Sequence, residues 1–199
     1  MGGRRLACVV GLLMLALPAA APAHAQAEYC SDITKNTTWG PDKTHIVGDN
    51  CTVNVRGATL TIRPDTQIQM GQSANLVFQE GGQLVAQSYV DSTTYGVVRF
   101  LANTRDDVPG YWGQIRFEPG SKTSTMTGAL LTGNVILPVL VSNGGAGGVP
   151  MVDVRGGELQ MDWIILQKAL EEPLGFTSDV LGPSLEAPGQ STVGGACDR

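Results

Sequence analysis

One pattern constrains this chain more than any other. A short apolar strand, a glycine turn and a new strand opening on leucine occur three times. The copies are Val53-Asn54-Val55-Arg56-Gly57-Ala58-Thr59-Leu60, Leu76-Val77-Phe78-Gln79-Glu80-Gly81-Gly82-Gln83-Leu84 and Val152-Asp153-Val154-Arg155-Gly156-Gly157-Glu158-Leu159. Leu60 to Leu84 is 24 residues, and Leu84 to Leu159 is 75, which reads as three steps of 25. A period of about 20–50 residues marks a repeat architecture. No helical period lies between the copies, so each unit reads as one coil of β-structure. Stacked coils place successive strands about 4.8 Å apart in parallel sheets. Residues 51–170 then supply about five coils.

The runs between the turns support this. Ala58-Thr59-Leu60-Thr61-Ile62, Gln67-Ile68-Gln69-Met70, Gln83-Leu84-Val85-Ala86, Val97-Val98-Arg99-Phe100 and Gln114-Ile115-Arg116-Phe117 all alternate. Period two with one apolar face describes half-buried strands. The outward positions are largely Thr, Gln and Arg, which suit a solvated face. The competing all-β arrangement is a sandwich of regular hairpins. Its usual Asn-Gly or Asp-Gly turns are absent between Ala58 and Phe117.

Several of these segments resemble a known family in the same order. Asp32-Ile33-Thr34-Lys35-Asn36-Thr37-Thr38-Trp39 followed by His45-Ile46-Val47-Gly48-Asp49 looks like the opening of secreted bacterial right-handed parallel β-helix proteins of the pectate-lyase-like fold. Ala58-Thr59-Leu60-Thr61-Ile62-Arg63-Pro64-Asp65-Thr66-Gln67-Ile68 is similar to that family's most recognisable coil. Gly82-Gln83-Leu84-Val85-Ala86-Gln87 and Tyr111-Trp112-Gly113-Gln114-Ile115-Arg116-Phe117 continue the likeness. It covers about residues 30–130, and more loosely 150–170. It implies an all-β, right-handed parallel β-helix, but no single function, because the fold hosts lyases, hydrolases, adhesins and structural stalks. Asp65 stands where the family usually has Gly. Asp tolerates the left-handed conformation better than most residues, so the turn is expected to survive.

The ends are read separately. Arg4 and Arg5, an apolar run from Leu6 to Ala21, and Ala23-His24-Ala25 form the three parts of a secretory signal peptide, with cleavage expected after Ala25 or, since Ala25-Gln26-Ala27 also fits, after Ala27. The run contains Pro18, is followed by Pro22, and is short of the ~20 apolar residues a membrane span needs. Residues 26–50 are expected to cap the first coil, 51–172 to form the β-helix, and 173–199 to form a disordered, flexible tail rich in Pro, Gly and Ser. Ile164 to Glu172 reads as a short helix closing the stack, ended by Pro173. An exported chain is secreted, periplasmic or held at the cell surface, and such compartments permit disulfides. Cys30 and Cys51 are close in sequence and precede the first strong strands, so they are paired; the link is expected to add ~3 kcal/mol. Cys197 is left over for an intermolecular link or a free thiol.

Charge and composition exclude some functions. The whole chain has 13 Lys+Arg, 18 Asp+Glu, two His and four Cys. No basic block exists, so a nucleic-acid partner is not expected. His24 and Cys8 fall in the signal segment, leaving one His and three Cys, too few for a multi-His metal centre or a Cys₄ site.

Enzymatic candidates are sparse. A uronate lyase needs a base together with Ca²⁺ or Arg to stabilise an enolate. Arg99 and Arg116 occupy matching places in their strands and are expected to stack on one outer face, with Asp106 and Asp107 in the loop between them. A hydrolase would need paired carboxylates; Asp153 and Asp162 are nine apart with no third partner in view. His45 lies outside the repeats with no nucleophile at a suggestive spacing. Tyr95 and Tyr111 are candidate stacking surfaces for sugar rings, while Trp112 reads as packing. Gly144 to Gly148 lacks the Lys-Ser/Thr ending of a phosphate loop and reads as a turn between coils. The sequons at Asn36 and Asn50 read as coincidental.

The expectation is a secreted, non-catalytic module with a structural or polysaccharide-binding role and no cofactor. The alternatives are a carbohydrate-active enzyme, with Ca²⁺ if it is a lyase, and a fragment of a longer adhesin.

Overall fold

The computed structural model describes residues 25–170 apart from 105, 107, 133 and 134, together with 174–176 and 192–194. Residues 1–24 of the signal segment, most of the expected tail, Asp107 and Cys197 lie outside the described residues.

Three parallel sheets are built in rotation. The first circuit is β1 (Ala25–Tyr29) in the first sheet, a bridge at Ile33 to the second, and β2 (Thr37–Trp39) in the third. The second is β3 (Lys43–Val47), β4 (Thr52–Arg56) and β5 (Thr59–Ile62); the third is β6 (Gln67–Met70), β7 (Asn75–Gln79) and β8 (Gln83–Gln87). A hairpin of β9 (Tyr89–Asp91) and β10 (Thr94–Tyr95) follows. The fourth circuit is β11 (Val98–Ala102), β12 (Ile115–Phe117) and β13 (Ser124–Thr127), and a second hairpin follows, β14 (Ala129–Leu131) and β15 (Val135–Leu137). β16 (Val139–Ser142), β17 (Val152–Val154) and β18 (Leu159–Asp162) make the fifth circuit. β19 (Ile164–Gln167) and β20 (Leu174–Phe176) begin a sixth, and β21 (Thr192–Gly194) joins the first sheet. The second and third sheets each hold five strands among the described residues, in line with about five coils.

Register explains why these sequences stack. Parallel in-register pairing puts like positions above one another, so the inward columns are mostly runs of apolar side chains. In the second sheet Val55, Phe78, Phe117 and Val154 align, and the Phe78 and Phe117 rings stack at 5.1 Å. Such a ring pair adds about 0.5–1.5 kcal/mol beyond its area burial. In the third, Trp39, Ile62, Ala86, Met126 and Met161 align. The outward column of the third sheet stays largely polar: Thr38, Thr61, Val85, Thr125 and Gln160 line it. At its edge, Thr59 donates to Gln83 at 3.0 Å, Gln83 to the Thr123 carbonyl at 2.7 Å, and Thr123 to Glu158 at 2.7 Å.

Corners use left-handed residues. Asn50 and Ser73, 23 residues apart, turn the chain from the first sheet to the second with φ of 56° and 55°. Asp65 turns it from the third to the first with φ 60°, as expected of an Asp replacing Gly. The Cys30–Cys51 disulfide joins the end of β1 to the residue before β4, with Cα atoms 5.2 Å apart.

Two expectations are corrected. Leu60 and Leu84 are register partners on β5 and β8. Leu84 and Leu159, however, are two circuits apart rather than three, because two hairpins and the 103–114 loop lengthen those circuits. The expected helix at Ile164–Glu172 is strand β19 over Ile164–Gln167, paired with β16. Trp163 (φ 52°) and Lys168 (φ 58°) bracket that strand with conformations a helix cannot contain. No helix of the described residues is long and apolar enough to cross a membrane.

Candidate functional site

The two hairpins are inserted at the same corner, between the third sheet and the first, on consecutive circuits. Six of the eight exposed large apolar side chains among the described residues lie on them: Tyr89, Val90 and Tyr95 on the first, Leu130, Val135 and Ile136 on the second. Elsewhere among the described residues the exposed large apolar side chains are Val108 and Leu170, so this concentration marks the corner as the candidate site.

The first hairpin is made by local chemistry. Asp91 Oδ1 accepts from the Thr93 amide (2.8 Å), the Thr93 hydroxyl (2.7 Å) and the Thr94 amide (2.9 Å), forming an Asx turn. Chiefly through the Thr93 hydroxyl, these bonds hold the Asp91 carboxyl below its usual range. The strand then returns with a register shift between Thr94 and Tyr95, and this sets Tyr95 opposite Tyr89. Opposed residues of an antiparallel pair share a face. Tyr89 is 39% exposed and Tyr95 52%. The base is rigid. Ser88 is wholly buried, its hydroxyl donates to the Pro138 carbonyl at 2.8 Å, and the Gly96 amide donates to the Ser88 carbonyl at 2.9 Å. In the second hairpin Leu130 opposes Ile136, each 48% exposed.

The structure separates the charged candidates. Arg99 lies in β11 of the first sheet and Arg116 in β12 of the second, so they do not stack on one face as expected. The reason is arithmetic: they are 17 residues apart, less than the 23-residue step that brings the chain back to one face. Arg99 pairs with Asp65 at 3.3 Å. Asp106 is exposed in the 103–114 loop, where its amide donates to Thr104 Oγ1 at 3.1 Å. Arg116 instead meets Asp153, its register neighbour one circuit on. With its amide turned so that nitrogen faces Asp153 and oxygen faces Arg116, Gln114 bridges them, donating to Asp153 at 3.2 Å and accepting from Arg116 at 3.1 Å. Arg116 also pairs with Glu118 at 2.7 Å, and Arg155 with Asp153 at 2.6 Å. Each guanidinium of this cluster is held by a carboxylate, and the network ties strands together. Asp162 sits in β18, on a different sheet from Asp153.

His45 falls inside the repeat rather than outside it, with register partners Ala27 and Ile68. It is wholly buried, its Nε2 bonds the Gly40 carbonyl at 3.0 Å and its Nδ1 the Tyr29 hydroxyl at 3.1 Å. The neutral tautomer with hydrogen on Nε2 satisfies both bonds, and the ring stacks on Trp39 at 5.1 Å. Burial, reinforced by Lys43, lowers its pKa against the opposing pull of the Gly40 carbonyl and Asp42. Tyr111 is half-buried and packs against the core, and Trp112 is fully buried, donating from Nε1 to the Ser142 carbonyl at 2.8 Å. The Gly144–Gly148 run joins β16 to β17 and covers Trp112; a Cβ on Gly144 would sit 2.8 Å from that ring.

Of the sugar-stacking candidates, then, Tyr95 is presented and Tyr111 is packed. Tyr89 was missed because its partnership depends on the bulge. The available signal was Asp91-Ser92-Thr93-Thr94 followed by Gly96, a turn signature between aromatic and β-branched residues. Among the described residues no group of three or more His, Cys, Asp or Glu is arranged to hold a metal ion. No family model, curated protein or solved structure matches this chain.

Proposed function

We propose that this chain is an exported, non-catalytic right-handed parallel β-helix that binds polysaccharide through the Tyr89–Tyr95 hairpin. Parallel crossovers within one sheet are right-handed in about 98% of cases, which favours that hand for the three-sheet circuit. The N-terminal signal pattern and the Cys30–Cys51 disulfide favour export. The observation that carries the binding reading is the pair of exposed tyrosines opposed across a hairpin whose base is pinned by buried Ser88. A sugar ring presents an apolar face of C–H groups to an aromatic ring, and two rings on a stiff ribbon lose little entropy on contact. The non-catalytic reading rests on the charged groups: Arg99 and Arg116 lie on separate sheets, each paired with a carboxylate.

The test incubates residues 26–199 with neutral and acidic polysaccharides, with and without Ca²⁺, and follows retained protein and new chain ends together. Retention without cleavage, lost on replacing Tyr89 and Tyr95 by Ala, is the expected result. Chain ends that vanish in Arg116→Ala would overturn the non-catalytic reading and make this a lyase or hydrolase. Absence of retention on every polysaccharide would end the binding reading.

A further inference from the structure

The charges around the two tyrosines narrow the ligand. From Ser88 to Val97 the chain carries a single charged side chain, Asp91, at the hairpin turn. It is exposed and held anionic by the three bonds from Thr93 and Thr94. A second carboxylate, Asp65, lies against the hairpin's base, where a Cβ on Gly96 would meet its Cβ at 2.5 Å. The nearest cation along the chain, Arg99, is engaged by that same Asp65 at 3.3 Å. The charged side chains of the hairpin and its base are therefore the Asp91 carboxylate and the Asp65–Arg99 pair, whose charges cancel.

Resting on the polysaccharide-binding reading, we infer that this hairpin selects neutral chains and rejects polyanionic ones, by the charge of Asp91 beside Tyr89 and Tyr95. In water, two like charges about 6 Å apart weaken binding roughly threefold. A polyanion brings several charges within the ~8 Å screening length of physiological salt, so the penalty accumulates to about tenfold or more at low ionic strength. Hydroxyl-bearing chains carry no such penalty and keep the stacking contact.

Matched polymers test this, because backbone and length are shared and only charge differs. Binding of residues 26–199 is measured to hydroxyethylcellulose against carboxymethylcellulose, and to dextran against carboxymethyl-dextran, at about 10 mM and 500 mM NaCl. The expected result is a preference of about tenfold for the neutral member at low salt, shrinking towards parity at high salt. Asp91→Asn, whose amide oxygen can accept the same turn bonds, should remove most of the low-salt preference, read as the ratio of the two polymers within each variant so that any change common to both cancels. Equal or tighter binding of the carboxymethyl polymers at low salt, still lost in Tyr95→Ala, would overturn the selectivity and leave polysaccharide binding standing. A preference that ignores both salt and Asp91→Asn would also overturn it. No binding to either pair would remove the binding reading and this inference together.

Discussion

The Ser88 hydroxyl donates to the Pro138 carbonyl at 2.8 Å, across fifty residues of sequence and one circuit of the stack. It joins the residue before β9 to the residue after β15, so the roots of both hairpins share one bond. The same oxygen faces the Val98 amide at 3.4 Å. Two-stranded ribbons are marginal by themselves, so their order at this corner depends on such anchors.

Ser88→Ala should therefore loosen both hairpins at once. The part-buried Pro138 carbonyl would lose this donor, at a cost of about 0.5–1.5 kcal/mol. Hydrogen exchange should quicken in β9–β10 and in β14–β15 while the inward strands β6, β7 and β8 keep their protection. Faster exchange in the first hairpin alone would contradict the shared anchor.

His45 makes stability depend on pH with a definite sign. Its folded pKa lies below the ~6.5 of an unfolded chain, chiefly through burial. The unfolded state then binds more protons, and stability rises with pH. The contribution is complete above about pH 6.5 and is lost as pH falls through the lower folded value. Urea midpoints between pH 7.5 and 5 should drop, and His45→Gln should flatten that part of the curve. A midpoint that rises on acidification over this window would contradict the burial argument.

The disulfide closes a separation of 21 residues around the first circuit. A loop of that size is expected to contribute about 3 kcal/mol, largely by restricting the unfolded chain. Cys30→Ser with Cys51→Ser should lower the denaturation midpoint accordingly. The loss should fall mainly on β1 and β2, which form the first circuit, as read by their amide exchange.

What the sequence made legible is what a fixed step repeats. Leu60 and Leu84 stand one uninterrupted circuit apart, so counting residues finds their register. Cys30 and Cys51 are similarly local, and Asp65 announces a left-handed turn by its side chain. Insertions defeat such counting. Leu84 to Leu159 contains two hairpins and a long loop, and its length imitates an extra coil. Arg99 and Arg116 share a local pattern but not a sheet, because pattern reports which way a side chain points and not which wall it stands on. Ile164–Gln167 shows the same limit from the other side: a short apolar run suits a strand or a helix, and the waiting edge of β16 decides. Tyr89 needed a bulge to meet Tyr95, and no periodicity encodes a bulge.

At Gly96 the returning hairpin strand passes Asp65. Gly96 has φ 154°, and a Cβ there would lie 2.5 Å from Asp65 Cβ and 3.0 Å from its Cα. Gly96→Ala therefore combines an unfavourable backbone with a collision against another turn. The hairpin must shift, and polysaccharide retention should fall with thermal stability. Asp65→Gly alone should be mild: glycine suits the φ of 60°, and the exposed pair with Arg99 contributes only about 0–1 kcal/mol. In the double variant the nearest obstruction, the Asp65 side chain, is gone while the close approach to the main chain at that position remains. The destabilisation by Gly96→Ala should then be partly relieved, a coupling that independent sites would not show. Strict additivity of the two changes in a denaturation cycle would mean that backbone conformation alone, and not the approach to Asp65, requires glycine at 96.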